Sequence, residues 1–275
     1  MTNDHKVAPT EKEQTMKPQR IEGAVALVTG ANRGIGRALT EALLSRGVRK
    51  VYAAVRNPET LPALRDERLV PLRLDVTDAD QIRAAVEAAS DVEIVFSNAG
   101  VALARGLADA TVLDQARREM EVNYFGPLQL LQRFAPTLTR NGGGAVVSIG
   151  SIAGLTNSPF IPTYSASKAA AHSLTQAARF LLGMQGTAVF GVYPGPVDTE
   201  MSRDAPLVKA SPSDVAFAIL DGIEAGHEDI FPDPFAVDFE RQFEASPKAS
   251  ERQMAATTAA MFGQFLADES CCHVE

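Results

Sequence analysis

Residues 29–36 read Thr29-Gly30-Ala31-Asn32-Arg33-Gly34-Ile35-Gly36, and they give the strongest local indication of the fold. It follows an apolar run over residues 24–28 and opens a segment over residues 35–45 with apolar residues at helical spacing, which ends at Gly47. Glycines at such a junction let the backbone turn tightly and approach a pyrophosphate, which then rests on the N–H groups of the helix terminus. The GxxxGxG spacing predicts a nucleotide-binding turn, with a plain strand–helix loop as the alternative.

The alternation of strand and helix continues along the chain. Further apolar runs predict strands at 51–55, 69–74, 92–96, 145–149, 188–193 and 229–231. Helical spacing predicts helices at 78–89, 114–138, 164–184 and 213–225, and Pro127 is expected to kink or divide the second of these. Continuous apolar strands separated by helices are typical of a parallel sheet covered on both faces. The sequence therefore predicts an α/β fold, a three-layer doubly wound parallel sheet in a single Rossmann-like domain, with its ligand at the carboxyl ends of the strands.

Composition divides the 275 residues into three regions. Residues 1–20 are polar and predict a disordered tail, residues 21–235 form the Rossmann-like domain, and residues 236–275 form a helical extension with an acidic, partly disordered end. Residues 224–275 carry 11 acidic and 3 basic side chains, which we interpret as a solvated surface, with a docking face for a basic partner as the alternative. This region also holds five phenylalanines that need burial: Phe235, Phe239, Phe243, Phe262 and Phe265.

Several classes of function are disfavoured by the composition. The net charge of −8 argues against a nucleic-acid partner, and no run of 18 apolar residues suggests a membrane span. Cys271 and Cys272 are adjacent at the C-terminus, which predicts neither a disulfide framework nor a zinc pair, and the scattered histidines predict no metal site. The N-terminus does not resemble a signal peptide, so we expect a cytoplasmic protein with a small-molecule partner.

Further elements occur in a fixed order after the glycine-rich turn. Together with that turn they resemble the short-chain dehydrogenase/reductase family over about residues 21–235. The YxxxK element alone would be a weak signal, whereas the ordered set is specific. The matching elements are Ser97-Asn98-Ala99-Gly100, Asn123, Ser151 placed 13 residues before Tyr164, Tyr164 with Lys168, and the segment 193–199 (YPGPVDT), and Ser97 departs from the family's first asparagine.

The resemblance implies a catalytic set of Asn123, Ser151, Tyr164 and Lys168. Tyr164 and Lys168 are four residues apart and share one helix face, so an ammonium there is expected to lower the tyrosine pKa from its ordinary value of about 10. Tyr164 would then exchange a proton with the substrate oxygen, and Ser151 would hydrogen-bond that oxygen. Ser148 is the rival serine, with an inward, structural position expected. The resemblance gives Asn123 a water that links Lys168 to solvent, and the alternative is an asparagine that bonds a neighbouring strand.

The cofactor implied is a nicotinamide dinucleotide, with NADP(H) favoured over NAD. An NAD site needs a carboxylate at the end of the second strand, and this chain has none there. Arg33 and Arg56 could instead hold a 2′-phosphate. Asp75 and Val76 resemble the pair that contacts adenine. The full cofactor set is Gly30, Asn32, Arg33, Gly34, Ile35, Gly36, Arg56, Asp75, Val76, Asn98, Ala99, Gly100, Tyr164, Lys168, Pro194, Gly195, Val197 and Thr199.

The function expected is reduction of a ketone or aldehyde, or oxidation of the matching secondary alcohol, by hydride transfer. Two alternatives stay open: a non-catalytic nucleotide sensor on the same fold, and an epimerase or dehydratase, whose relatives generally show GxxGxxG and a longer substrate domain. The resemblance implies a homodimer or homotetramer that pairs through the helices carrying Asn123 and Tyr164. An apolar pocket wall is expected from Ala102, Leu103, Ser158, Phe160 and Pro194.

Overall fold

Seven parallel strands form one sheet in the computed structural model, which describes residues 16–61, 66–103, 106–107, 110–203 and 207–271, with side chains up to residue 260. The order across the sheet is β3-β2-β1-β4-β5-β6-β7, so the chain reverses its direction of winding between β1 and β4. The predicted doubly wound parallel sheet is confirmed. The strands are β1 Val25–Thr29, β2 Lys50–Val55, β3 Leu69–Arg73, β4 Ile94–Ser97, β5 Ala145–Ile149, β6 Ala188–Val192 and β7 Asp229–Ile230.

Helices cover both faces of the sheet. On one face, α1 (Gly34–Ser45) and α6 (Pro212–Ala225) bury Leu39 and Ile219 against Val28 and its neighbours. On the other face, α2 (Ala79–Ala88), α4 (Gly126–Arg140) and α5 (Pro162–Gly183) contribute Ile82 and Phe134, among others, to a second core. The central strands are buried on both faces because they carry β-branched and other apolar residues without a polar alternation.

The predicted helix at 114–138 is divided, and the division lies before Pro127. Helix α3 (Val112–Met120) leads into a π-helical turn, Glu121–Phe125, and α4 begins at Gly126. Pro127 occupies the first turn of α4, where its missing N–H costs no hydrogen bond, so it starts a helix rather than kinking one. Asn123 lies inside the π-helical turn, and such turns are frequent at functional sites.

Two further helices follow the sheet. Helix α7 (Pro234–Ala245) and helix α8 (Pro247–Cys271) form the C-terminal extension. Ala236 and Phe239 of α7 build a small apolar cluster with Ile152 and Tyr193, and Phe243 and Met254 pack at its edge. The extension is therefore packed onto the domain rather than set apart from it.

The chain before residue 21 is in part packed as well. The backbone N–H groups of Met16 and Gln19 donate to the carbonyls of Gly226 and Ile223 at the end of α6. Residues 16–20 of the predicted disordered tail are therefore ordered, and the Met16 side chain packs against the core. The rest of that tail lies outside the described residues. None of the described helices is both long and apolar enough to cross a membrane.

Candidate active site

The carboxyl ends of the central strands bring the sequence-predicted residues to one edge of the sheet. β1 leads directly into the turn that begins at Gly30, and β4 leads into Asn98, Ala99 and Gly100. The ends of β5 and β6 lead towards Ser151 and Pro194. Ligands of open α/β sheets bind at this edge, at the point where the winding reverses.

The glycine-rich turn has the shape of a phosphate cradle. Gly30 and Gly34 have φ values of 69° and 52°, a region that favours glycine. A Cβ on Gly36 would lie under 3.0 Å from the carbonyl oxygen of Gly30 and from Nδ2 of Asn98. The first turn of α1 holds no acidic residue, and Arg33 at its N-cap makes no side-chain capping bond. These residues fit the pyrophosphate of a dinucleotide, because the N–H groups of the helix terminus are left for an anion.

A polar clamp ties this turn to β4. The hydroxyl of Thr29 donates to Phe96 O at 3.2 Å and accepts from the N–H groups of Asn98 and Ala99 at 2.9 and 3.0 Å. The side-chain amide of Asn98 donates to Thr29 O at 2.8 Å. Asn98 therefore supports the turn from behind, and Ser97, at the position where the family has asparagine, is buried at the end of β4.

Tyr164, Ser151 and Lys168 lie together at the other side of this edge. Tyr164 is buried in the first turn of α5, where the Ser151 side chain is near enough to influence its pKa. Ser151 also accepts the N–H of Ala153 at 3.1 Å as the cap of a short 3-10 turn. The ammonium of Lys168 donates to Ile149 O at 2.7 Å and lies 5.9 Å from the ring centre of Tyr164. Ser148, by contrast, accepts from Thr175 away from this group, so its expected inward position agrees with the structure.

Asn123 has every polar atom of its side chain bound to protein. Its oxygen accepts Val101 N–H at 2.9 Å, and its amide donates to Val101 O at 2.8 Å and to Ser167 at 2.9 Å. Gly100 lies between Asn123 and Lys168, since a Cβ there would lie 3.3 Å from Asn123 Oδ1 and 3.6 Å from Lys168 Nζ. The side chain thus fixes the segment after β4.

Of the residues predicted to choose the cofactor, Arg56 and Asn32 lie near the end of β2, whereas Arg33 is paired with Glu200 in the segment after β6. Arg56 follows β2 directly and is exposed, and the β2 end has no carboxylate. Arg33 forms an ion pair with Glu200, in which both side chains are more than half exposed. Asn32 donates to Thr60 at 3.1 Å. Asp75 accepts from the N–H and hydroxyl of Thr77, which leaves its carboxylate facing its own loop.

Comparison with known proteins places this combination in one family. The model of the short chain dehydrogenases matches residues 24–208. The chain belongs to the short-chain dehydrogenase family. A dehydrogenase/reductase of Anopheles gambiae is 31% identical in an alignment 254 residues long that covers 80% of this chain and 80% of its own. The resemblance drawn from the sequence is therefore confirmed, and the chain is an oxidoreductase by family.

Two crystal structures of family members bear on the cofactor. A short-chain dehydrogenase of Burkholderia cenocepacia in complex with NADP is 39% identical, has a TM-score of 0.82, and matches over 86% of this chain and 99% of its own. A short-chain dehydrogenase/reductase of Burkholderia phymatum in complex with NAD is 26% identical, with a TM-score of 0.72 over 84% of this chain and 96% of its own. These relatives support a nicotinamide dinucleotide, and the more similar of the two holds NADP.

The segment after β6 is held by a residue that sequence reasoning missed. Asp233 is buried and accepts the N–H of Gly195 at 2.8 Å and that of Ala236 at 2.9 Å, which makes it the N-cap of α7. Pro194 O accepts the N–H of Ile152, so the loops after β5 and β6 are joined. The signal was present in Pro232-Asp233-Pro234, because an aspartate before a proline is a common helix start.

A cavity of about 230 Å³ opens beside Tyr164. Four of the five predicted wall residues line it, namely Ala102, Ser158, Phe160 and Pro194, whereas Leu103 is not among the lining residues and is largely exposed. The backbone N–H of Leu103 donates to Glu119 at 2.7 Å, which ties this short loop to α3. Ile35, Val197 and Thr199 border the cavity, as do residues from the C-terminal extension.

Burial governs the acid–base properties of this site. Burial raises the pKa of Tyr164 to about 12, the hydrogen bond with Ser151 lowers it, and the negative charge of Glu119 raises it. Burial also lowers the pKa of Lys168 to about 8. Lys168 is not among the causes of this shift, so the expected lowering of the tyrosine pKa by its ammonium stays a prediction.

This raised pKa predicts a difference between the two reaction directions. Tyr164 stays protonated at neutral pH, so we expect kcat/KM for carbonyl reduction to be nearly constant between about pH 6 and pH 7 and to fall as the Lys168 ammonium, with a pKa of about 8, loses its proton. Alcohol oxidation needs the phenolate, so its kcat/KM should rise with pH, by up to about tenfold per unit. Parallel pH profiles of both directions measure this, and an oxidation rate independent of pH would contradict it.

A single substitution tests whether the charge of Glu119 raises the pKa of Tyr164. Glu119 is buried, and glutamine can keep the bond to Leu103 N–H while removing the charge. Because that charge raises the Tyr164 pKa, Glu119→Gln should move the oxidation profile to lower pH. The matched control is Glu121→Gln, an exposed neighbour, which should leave the profile in place.

Proposed function

We propose that the protein is an NADP(H)-dependent oxidoreductase that reduces a ketone or aldehyde, or oxidises the matching secondary alcohol. The observation that carries the proposal is that Tyr164 and Ser151 line one cavity, with the Lys168 ammonium 5.9 Å from the tyrosine ring centre. A phenol that stays protonated at neutral pH beside a hydroxyl group is suited to receive a carbonyl oxygen.

In the reductive direction, Ser151 and Tyr164 both hydrogen-bond the carbonyl oxygen, and a bound reduced nicotinamide supplies the hydride. As negative charge develops on that oxygen, the hydroxyl of Ser151 stabilises it and Tyr164 donates its proton. The Lys168 ammonium lies 5.9 Å from the ring centre of Tyr164, and its positive charge favours the phenolate that remains. Asn123 acts as a positioning residue, since it holds the segment over Val101 and supports Ser167 at the base of α5.

The residues that would hold the dinucleotide follow from the cradle. Gly30, Gly34, Ile35 and Gly36 would face the pyrophosphate, and Asn98, Ala99 and Gly100 would border the next ribose. Asp75 and Val76 would contact the adenine, and the nicotinamide end would meet Tyr164, Lys168, Pro194, Gly195, Val197 and Thr199. NADP is the proposed form, because Arg56 follows a strand end that lacks a carboxylate and Arg33, in the adjoining glycine-rich turn, could exchange its partner Glu200 for a phosphate.

The choice between the two dinucleotides is tested by removing the proposed phosphate ligands. Charge-assisted hydrogen bonds to a phosphate contribute roughly 1.5–3 kcal/mol each, so Arg33→Ala with Arg56→Ala should raise the Kd of NADPH by at least about tenfold. The Kd of NADH should change little. Arg37→Ala is the control, because Arg37 is also on α1 but pairs with Glu41 at 2.8 Å. Calorimetry with both cofactors measures this, and equal losses for NADPH and NADH would contradict the assignment.

The activity itself is tested by consumption of NADPH, and in parallel NADH, against ketones, aldehydes and diketones. Turnover that favours NADPH is the expected result. Turnover with NADH alone would overturn the cofactor proposal, and a folded protein that binds NADPH without turning over any of these compounds would favour a nucleotide sensor.

An assembly through α4 and α5 belongs to the same proposal. Large apolar side chains are exposed along these helices and the turn before α4, which supports a homodimer or homotetramer. They are Phe125, Leu128, Phe180, Leu181 and Met184. The cytoplasmic location stays a prediction. Among the described residues, no three His, Cys, Asp or Glu side chains are grouped so that they could hold a metal ion.

A further inference from the structure

The C-terminal extension forms part of the cavity beside Tyr164. Phe235 of α7 and Met254, Thr257 and Thr258 of α8 line it, opposite the loop that follows β5. Thr258 is buried, and its hydroxyl donates to Met254 O at 2.9 Å, so this polar atom is satisfied within α8. The wall of the cavity on this side is therefore a helix that begins almost forty residues after the family model ends at residue 208.

This wall contacts two residues that are sequence neighbours of Ser151 and of Pro194. Ile152 follows Ser151 and Tyr193 precedes Pro194, and both are packed against Ala236 and Phe239 of α7. Met254 packs at the edge of the same cluster. The position of α8 is thus set by the same contacts that place Ser151 and the β6 loop.

The lining of the cavity has a distinct chemistry. None of its described residues carries a charge, and its polar side chains are all hydroxyl groups. Phe160, Phe235 and Met254 supply two aromatic rings and a thioether, groups that pack well against flat or cyclic apolar ligands. A carboxylate or phosphate in such a lining would lose its hydration without gaining a cationic partner, which costs several kcal/mol.

The volume further restricts what fits. Ligand cavities for drug-sized molecules run roughly 300–1,000 Å³, and this one measures about 230 Å³. Part of it borders Ile35 and Thr199, on the proposed nicotinamide side. The space left for a substrate suits a compact molecule with one ring.

We propose that α8 forms the substrate-selecting wall of this site, and that the site takes uncharged, compact aromatic or alicyclic ketones and aldehydes. The inference rests on the proposed function, since it names the substrate class of the same site. Met254 is a specificity-determining residue in this proposal. Apart from the catalytic pair and the turn at Thr199 and Ser202, the hydroxyl groups of the described lining belong to Ser158, Thr257 and Thr258.

A binding experiment tests the class of ligand without any turnover. Benzamide and benzoate have the same ring and nearly the same shape, and differ in charge. Calorimetry with the full-length protein saturated with NADPH should show benzamide binding at least about tenfold tighter than benzoate. Equal affinity, or tighter binding of benzoate, would overturn the inference and leave the proposed function intact.

A kinetic experiment tests the role of α8. Met254→Ala should raise kcat/KM for butyrophenone relative to acetophenone by at least about fivefold, through KM rather than kcat, because one or two methylenes in an apolar pocket change selectivity by roughly 10–200-fold. Gln253→Ala, an exposed neighbour on α8, should leave the ratio unchanged. Met254→Leu keeps an apolar wall of similar volume and should retain the wild-type ratio, which separates selection from a loss of folding.

The outcomes of the two experiments differ in what they overturn. An unchanged ratio in Met254→Ala, with the thermal transition of the variant intact, contradicts the role of α8. Binding of benzamide with no turnover of any neutral ketone contradicts the proposed function while supporting the ligand class. Turnover of benzoylformate in preference to its methyl ester contradicts the ligand class while supporting the proposed function.

Discussion

Tyr164→Phe should reduce kcat/KM for carbonyl reduction by at least about a thousandfold while leaving NADPH binding unchanged. Proton transfer by a positioned group contributes roughly 10²–10⁴-fold to a rate, and this substitution also removes a hydroxyl that would bind the substrate oxygen. Tyr164 is buried in the first turn of α5. The substitution removes only one oxygen atom, so the packing of the ring is retained. Initial rates with NADPH and a ketone, together with calorimetric binding of NADPH, measure the effect.

The control for this prediction is a second tyrosine. Tyr124 lies next to Asn123 and packs edge-on against Phe125 at 5.0 Å, away from the cavity lining. Tyr124→Phe removes the same atom and should keep most of the wild-type activity. If Tyr164→Phe retains activity within about tenfold, Tyr164 is not the proton donor and the proposed mechanism fails.

Gly36→Ala should lower the free energy of unfolding by at least about 3 kcal/mol, although alanine is the better helix former by about 1 kcal/mol. The added Cβ would lie under 3.0 Å from Gly30 O and from the amide of Asn98, and that amide is itself bound to Thr29 O. Neither neighbour is a flexible side-chain end, so α1 has to move away from β1. For a chain of this size the melting temperature should fall by about 6–12 °C.

Gly183→Ala provides a matched comparison for that loss. A Cβ at Gly183, at the end of α5, would meet no atom within 4 Å. It should leave the melting temperature unchanged or raise it slightly, because alanine favours the helix. Equal melting temperatures for the two variants would show that the close approach of α1 to β1 does not depend on glycine.

The fold was accessible from the sequence because its signals are local. Continuous apolar strands and amphipathic helices alternate along the chain, and the glycine-rich turn marks the first junction, so sheet type and winding followed directly. The division at Glu121–Phe125 was not accessible, because a π-helical turn has no distinct residue pattern and depends on the packing of α3 against α5. Pro127 indicated a break there but not its form.

The positions of the candidate site residues could be predicted from the sequence, whereas their burial and pKa values could not. Ser151, Tyr164 and Lys168 come together as their spacing suggested. The raised pKa of Tyr164 depends on how much solvent the finished fold excludes, and on Glu119 from a separate helix. Residues that approach from far along the chain, such as Asp233 and Met254, have no spacing relation to the motifs and were found only in three dimensions.

The small cluster of Ile152, Tyr193, Ala236 and Phe239 has a consequence for how such a protein can change over generations. The proposed dinucleotide cradle and the proposed proton donor lie within residues 24–208, whereas part of the opposite wall is carried by a C-terminal segment joined through a few apolar contacts. Substitutions at cavity-lining positions of α8 outside that cluster, such as Thr257, can change which molecules bind while the contacts that place Ser151 are retained. Substrate range can therefore diverge between relatives through the C-terminal segment while the residues proposed for proton transfer stay the same.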